Sequence, residues 1–262
     1  MFDFHMHSSL SFDGISSPQE MLETAEKMGL REICFTEHRD YFPVNDDGSM
    51  LFDPERYVQL LNALQSDKLK IRRGMEFGML PHNNDQFLKD LQLYDYDFVI
   101  GSAHYTDIFD VYYPPYWEGK TVEQGEKNYL EEVLACVQEH DEFDVLGHLT
   151  YISKAEAHPT HTPVSYEKHK VLVDEILRTL VRKEKGMEMN TSGVDRCGAF
   201  LPAAEYFVRF RDLGGKIVTV GSDAHDTRRA GQYCDQACKV LKDIFGYVCT
   251  FEQRKPIFHK DI

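Results

Sequence analysis

The sequence has no apolar run near the roughly 18 residues a membrane-spanning helix needs, and it opens on Met1-Phe2-Asp3, with neither a basic stretch nor an apolar leader core. The expectation is a cytoplasmic protein with no membrane partner. Basic residues are few: 29 Lys and Arg stand against 44 Asp and Glu, a formal charge of -15. Affinity for nucleic acid or an anionic membrane rests on basic side chains neutralising phosphates. Nucleic acid is therefore disfavoured as a partner, although a small phosphate held by metal ions is not. The six cysteines form no C-x-x-C pair and no disulfide-like spacing, which leaves them as buried reduced thiols. There is no internal repeat, low-complexity tract or linker.

What is present is enough apolar material for a core. With 262 residues, 42% of them hydrophobic, the expectation is one domain over 1–262. Short β-rich runs alternate with helix-like runs, the rhythm of repeated βα units on a mostly parallel sheet. The strand candidates are Phe2 to His7, Glu32 to His38, Lys70 to Glu76, Asp97 to His104, Phe143 to His148, Gly186 to Asn190 and Lys216 to Asp223. Helix starts are signalled at Ser17-Pro18, Asp53-Pro54, Thr121 and Pro163 to Ser165, with a further resemblance to one at Asp226-Thr227. The Pro- and aromatic-rich stretches Arg39 to Phe52, Tyr105 to Lys120 and Ser153 to Thr162 read as loops over one face.

Function is written in how those strands end. Six of the seven finish on a metal-ligand residue type: His5 and His7, His38, Glu76, His104, His148, and Asp223 with His225. Only 12 histidines exist, and six of them fall at these few positions. In parallel β/α folds the carboxyl ends of the strands converge on the ligand-binding face. Histidine and carboxylate gathered there suit zinc, manganese or iron. A lone strand-end histidine is more often a hydrogen-bonded structural residue. One at each of several strand ends would need a separate structural reason each time, whereas a metal cluster needs one.

Asp3-x-His5-x-His7, Thr36-Glu37-His38, the Gly-x-Glu76 strand end, Gly101-Ser-x-His104, Gly147-His148 and Gly221-Ser-Asp223-Ala-His225 resemble, in this order and over nearly the whole chain, the polymerase and histidinol phosphatase (PHP) family. Within it the chain is most similar to the stand-alone histidinol-phosphatase type, through Ile100 to His104, Phe143 to His148 and Glu188 to Gly193. The resemblance implies a distorted seven-stranded (β/α) TIM-like barrel with two to three divalent ions at the C-terminal ends of the strands. It implies that His5, His7, Glu76 and Asp223 hold one ion, that Glu76 bridges to a second held by His104 and His148, and that Asp13, His38 and His225 hold a third. Glu37, where many relatives have aspartate, is assigned no contact with metal.

The implied chemistry is hydrolysis of L-histidinol phosphate, in histidine biosynthesis, by a metal-bound hydroxide. The loops after the strands supply Arg196 and Lys154 as candidate phosphate-binding cations, and His38 or Asp13 as the candidate proton donor to the leaving alcohol. Arg228 and Arg229 read as solvated. His158 and His161 read as solvated loop histidines, and His82, His140, His169 and His259 as surface or capping residues. The aromatic loop Tyr112 to Trp117, with Asp107 and Asp110 beside it, is a candidate pocket wall or a simple covering of the rim. Two other readings are a phosphoesterase acting on a different small ester, nucleotide or nucleic-acid end, and a non-catalytic binding domain. The second would be expected to have lost ligands, and all nine positions here carry a ligand-type residue.

Overall fold

The computed structural model describes residues 1–261. In chain order its strands are β1 (Phe2–Met6), β2 (Glu32–Arg39), β3 (Lys70–Gly78), β4 (Phe98–Ser102), β5 (Tyr105–Thr106), β6 (Phe109–Asp110), β7 (Val145–Leu146), β8 (Gly186–Asn190), β9 (Val218–Gly221), β10 (Val248–Glu252) and β11 (Lys255–His259). The helices are α1 (Pro18–Lys27), α2 (Pro54–Ala63), α3 (Asn84–Asp90), α4 (Pro114–Trp117), α5 (Val122–Glu139), α6 (Tyr166–Arg182), α7 (Val194–Cys197), α8 (Ala204–Asp212) and α9 (Cys234–Phe245).

Seven strands join in the order β1-β2-β3-β4-β7-β8-β9, every neighbouring pair parallel. The ends of this sheet meet. Met6 bridges Ala224, the His7 amide donates to the Ala224 carbonyl at 2.8 Å, and the Asp223 amide donates to the His5 carbonyl at 2.7 Å. The architecture is a distorted (β/α)7 barrel. β1, β2 and β8 are buried along their whole length, as expected of strands covered on both faces. Rings from strands that are not neighbours meet across the barrel, Phe4 lying 5.5 Å from Phe98, and Phe98 lying 4.8 Å from Phe251.

Four helices start where the sequence signals them. Ser17 caps α1 in a capping box with Glu20, Thr121 caps α5 in another with Gln124, and Asp53 and Ser165 cap α2 and α6. The expected strand ranges run too long at β4, β7 and β9. Asp226 starts no helix: its carboxylate accepts from the Arg228 amide in a local turn, and α9 begins only at Cys234. The stretch expected as loop from Tyr105 to Lys120 holds the β5–β6 hairpin and α4, and a 3-10 turn spans Tyr151–Lys154. All six cysteines are free and buried. No helix among the described residues is long and apolar enough to cross a membrane.

The hairpin of β10 and β11 carries no sequence signal. Its two turn residues, Gln253 and Arg254, lie at φ 50° and 63°, a left-handed pair usually taken by Asn-Gly. Tertiary bonds hold it instead. Asp97 accepts from the Gln253 amide through its carboxylate (3.0 Å) and from the Arg254 amide through its carbonyl (2.9 Å), while the Arg254 guanidinium reaches Asp144 at 2.6 Å and the Glu142 carbonyl. Arg254→Ala leaves the buried Asp144 carboxylate with the Val99 amide at 2.8 Å as its remaining partner. Urea unfolding is expected to register a loss of about 1–3 kcal/mol, with metal uptake unchanged.

Candidate metal centre

The pairing register places His38 directly beside Glu76 at the ends of β2 and β3. Around this pair the other strand ends deliver their ligand-type residues. The Nε2 atoms of His5 and His7 lie 3.1 Å apart; His5 Nε2 is 3.1 Å from Glu76 Oε2 and 3.5 Å from Asp223 Oδ1, and His7 Nε2 is 3.3 and 3.4 Å from the same two oxygens. Two donors each about 2.0–2.1 Å from a tetrahedral zinc stand about 3.4 Å from one another. Those separations match. Glu76 Oε2 is buried and has no hydrogen-bond partner, an orphan that a cation would satisfy.

A second donor set shares the other oxygen of the same carboxylate: Glu76 Oε1 is 2.9 Å from His148 Nε2 and 3.5 Å from His104 Nε2, and those two nitrogens are 3.5 Å apart. In a third, His225 Nε2 lies 3.5 Å from His38 Nε2, and Asp13 Oδ2 is 3.0 Å from the former and 3.7 Å from the latter. Asp13 is the most open of the nine, its side chain 37% exposed. The His7 ring is stacked with those of His38 and His225, 4.2 Å from each. All nine residues singled out from the sequence as ligands are brought together. The donors are nitrogen and oxygen of the kinds that hold borderline divalent metals.

Two carboxylates that sequence reasoning missed surround them. Asp40 accepts from His104 Nδ1 at 2.6 Å and from His38 Nδ1 at 2.9 Å, and Glu188 accepts from His5 Nδ1 at 2.7 Å. The Asp223 carbonyl accepts from His225 Nδ1 at 3.0 Å. Each bond fixes the proton on Nδ1 and turns the Nε2 lone pair towards the cluster. Both carboxylates occupy room that glycine leaves: a Cβ at Gly78 would lie 2.2 Å from Asp40 Oδ1, and one at Gly221 would lie 2.2 Å from Glu188 Oε1. Asp3 has a different task. Fully buried, it accepts from the Ser222 amide and hydroxyl and from the Gly231 amide, fastening β1 to the segment after β9.

Burial pushes these carboxyls up and these imidazoles down, and the neighbours then decide. For Glu76 the imidazoles of His5 and His38, with bonds to His104 and His148, outweigh burial and hold the carboxyl well below its ordinary value. For His38, Glu76, Asp13 and Asp40 outweigh burial and carry the ring up to about 9. Burial keeps His7 and His148 low, and for His7 the facing His38 and His225 add to it. Without metal the cluster thus retains protons that an incoming cation must displace.

The cleft above the cluster has a volume of about 680 Å3. Lys154 and Arg196 both line it. The Lys154 ammonium pairs with Asp223 Oδ2 and donates to Ser192 at 2.9 Å, whereas the exposed Arg196 donates to the Tyr112 hydroxyl at 3.2 Å and pairs with no carboxylate among the described residues. Arg228 is solvated, as expected; Arg229, its side chain 32% exposed, lines the cleft and pairs with Asp195 at 3.2 Å. The aromatic loop divides. Tyr112 and Tyr113 line the cleft with Asp110, while Tyr116 and Trp117 are buried in the rim and Asp107 is exposed outside it.

Three of the histidines expected as surface, capping or loop residues are buried, and one of them, His140, is the C-cap of α5. His140 donates through Nε2 to the Leu80 carbonyl at 2.9 Å and faces Asn84 through Nδ1, His169 bonds Glu126 at 2.9 Å, and His158 packs on Trp117 while accepting the Thr160 and His161 amides. His161, His82 and His259 touch no ligand-type cluster.

A family model described as the PHP domain matches residues 3–192. A histidinol-phosphatase of Lactococcus lactis subsp. lactis is 33% identical over 259 residues, which cover 97% of this chain and 95% of the relative. A crystal structure of histidinol phosphate phosphatase from the same organism, complexed with zinc, L-histidinol and phosphate, is similar with a TM-score of 0.87 at 30% identity and covers 98% of both chains. A second crystal structure, from Listeria monocytogenes, shares the fold with a TM-score of 0.77 at 20% identity, covering 91% of this chain and 100% of the other.

Asp40→Asn is expected to weaken metal binding by about 10–100-fold, because one amide oxygen cannot hold two ring N–H groups as a carboxylate does. Zinc titration against a competing chelator measures it; an affinity equal to wild type would show that Asp40 does not orient these rings.

Proposed function

Since this chain belongs to the PHP domain family, we propose that it hydrolyses L-histidinol phosphate to L-histidinol and phosphate at the rim of the barrel. The observation that carries the reading is the convergence of His5, His7, Glu76 and Asp223 within 4.8 Å of one another, with a second donor set on the other oxygen of Glu76. This is a divalent-metal centre. We infer two to three ions, zinc, manganese or iron: the first held by His5, His7, Glu76 and Asp223, the second by Glu76, His104 and His148, the third by Asp13, His38 and His225. Ions there would neutralise phosphate oxygens and activate water. The zinc of the Lactococcus lactis complex supports that assignment. On this reading 1–262 acts as one phosphoesterase domain in the cytoplasm, on a small phosphorylated metabolite.

The chain's own groups handle the rest of the ester. Lys154, beside Asp223 and Ser192, and Arg196, paired with no carboxylate among the described residues, offer donors to the phosphate oxygens. Opposite in charge, Asp110 lines the cleft with no cation paired to it among the described residues, flanked by Tyr105, Tyr112 and Tyr113. An anionic end and a cationic, ring-bearing end therefore each meet a complementary wall.

Proton delivery to the leaving oxygen falls to His38 or Asp13, which both line the cleft. A ring that ligates through Nε2 cannot donate from that atom, so His38 serves as donor only while the third set is open.

Metal content tests the centre. Protein prepared without chelator is expected to carry two to three equivalents, and Glu76→Gln to lose metal and lower kcat by orders of magnitude; full activity after exhaustive chelation would overturn the reading. Substrate choice is a separate test. Histidinol phosphate is expected to exceed glycerol phosphate in kcat/KM by at least about a hundredfold, roughly 2.7 kcal/mol. Arg196→Ala should cost about 2–4 kcal/mol in kcat/KM with metal content intact. Equal values across a panel of phosphomonoesters would remove the histidinol assignment and keep the phosphatase.

A further inference from the structure

Glu37 stands one residue before His38 on β2, is fully buried, and contributes no atom to any donor set. Its carboxylate turns towards the segment after β1. Oε1 accepts from the Ser8 amide at 3.1 Å and the Ser8 hydroxyl at 2.6 Å; Oε2 accepts from the same amide at 3.0 Å and from the Ser11 hydroxyl at 2.5 Å. A buried carboxylate could simply be fastening a turn. The partners of Ser11 say more.

A serine hydroxyl has one proton to give. With Glu37 as a carboxylate, the Ser11 oxygen 2.5 Å from Oε2 gives it there, since two oxygens that close with no proton between them would repel. Ser11 Oγ is left as an acceptor only. It takes the His38 amide at 3.0 Å, and its other neighbour is His7 Nδ1 at 3.3 Å. That nitrogen must then carry the proton, and the lone pair of His7 sits on Nε2, the atom 3.3 Å from Glu76 and 3.4 Å from Asp223. His5, His38 and His104 receive the same instruction directly from Glu188 and Asp40. His7 has no carboxylate on Nδ1; a hydroxyl relays one.

We propose that Glu37 is a positioning residue of the metal centre, acting through Ser11 to hold His7 as the Nδ1–H tautomer and present Nε2 to the first donor set. The proposal rests on reading the cluster as a metal centre. Glutamine at 37 places an amide N–H2 among partners that are all donors, which frees the Ser11 proton to turn to His7 Nδ1 and drives the ring proton onto Nε2, where it blocks the ligand position. Alanine at 11 removes the acceptor and leaves the Glu37 bonds to Ser8 in place.

The test uses the full chain, stripped of metal and then titrated with zinc against a chelator, with ring tautomers followed by nitrogen–proton correlation spectra of labelled histidine. In wild type His7 is expected as Nδ1–H. Glu37→Gln and Ser11→Ala should each shift it towards Nε2–H and weaken zinc binding at least about tenfold, while Ser8→Ala, which trims Glu37 but not the relay, should stay within about threefold of wild type. An unchanged His7 tautomer and unchanged zinc affinity in Ser11→Ala overturn the proposal even where Glu37→Gln fails to fold, and an equal loss in Ser8→Ala reduces Glu37 to a turn fastener. Wild type that takes up no zinc defeats the metal-centre reading instead, and the tautomer spectra of the metal-free chain still decide the relay.

Discussion

One carboxylate, that of Glu76, sits out of water with three imidazole nitrogens near the oxygen that no hydrogen bond reaches, and most of the rim is arranged around it. Burying a charge costs several kcal/mol unless it is matched, and matching it with rings alone requires some of them to be protonated. A divalent cation between the same atoms answers both demands at once. The residues behind the rings follow from this. Asp40, Glu188 and the Ser11 hydroxyl are aimed at Nδ1 atoms, so that the faces turned inwards are lone pairs.

Room for that outer ring of charge is made by backbone. Gly78 and Gly221 lie where a Cβ would strike the carboxylates of Asp40 and Glu188, so glycine at these two strand ends serves packing of acid against backbone. Asp223 adds a backbone cost of its own. Its φ of 54° lies in the left-handed region, which aspartate tolerates better than most residues. The turn it makes keeps its carboxylate with His5 and His7, while its amide still bonds the His5 carbonyl.

The ligands were legible in the sequence because a parallel strand advertises its end. His38, Glu76 and His148 each stand near the end of a strand-like run, and the fold then carries all such ends to one rim. Asp40 was hidden by lying two residues past His38, in a stretch that reads as loop. Glu188 was hidden inside a strand, where a lone acid between Met187 and Met189 was the available signal. The β10–β11 hairpin escaped because its turn is Gln-Arg, made stable by Asp97 and Asp144 from distant parts of the chain. The burial of His158 and His169 went unread for a related reason. What buries them is tertiary, as with Glu126 of α5, which pairs with His169 of α6.

The seam between β1 and the segment after β9 has a consequence in time. His5 and His7 are made long before Asp223 and His225, and the bonds that close the barrel are formed by these same stretches. A ribosome adding about 5–20 residues per second needs roughly 10–40 s between His7 and Asp223. Throughout that interval the two rings can hold an ion only loosely, with half of their partners unmade. Closure of the barrel, and with it completion of the first donor set, is thus a late event of synthesis.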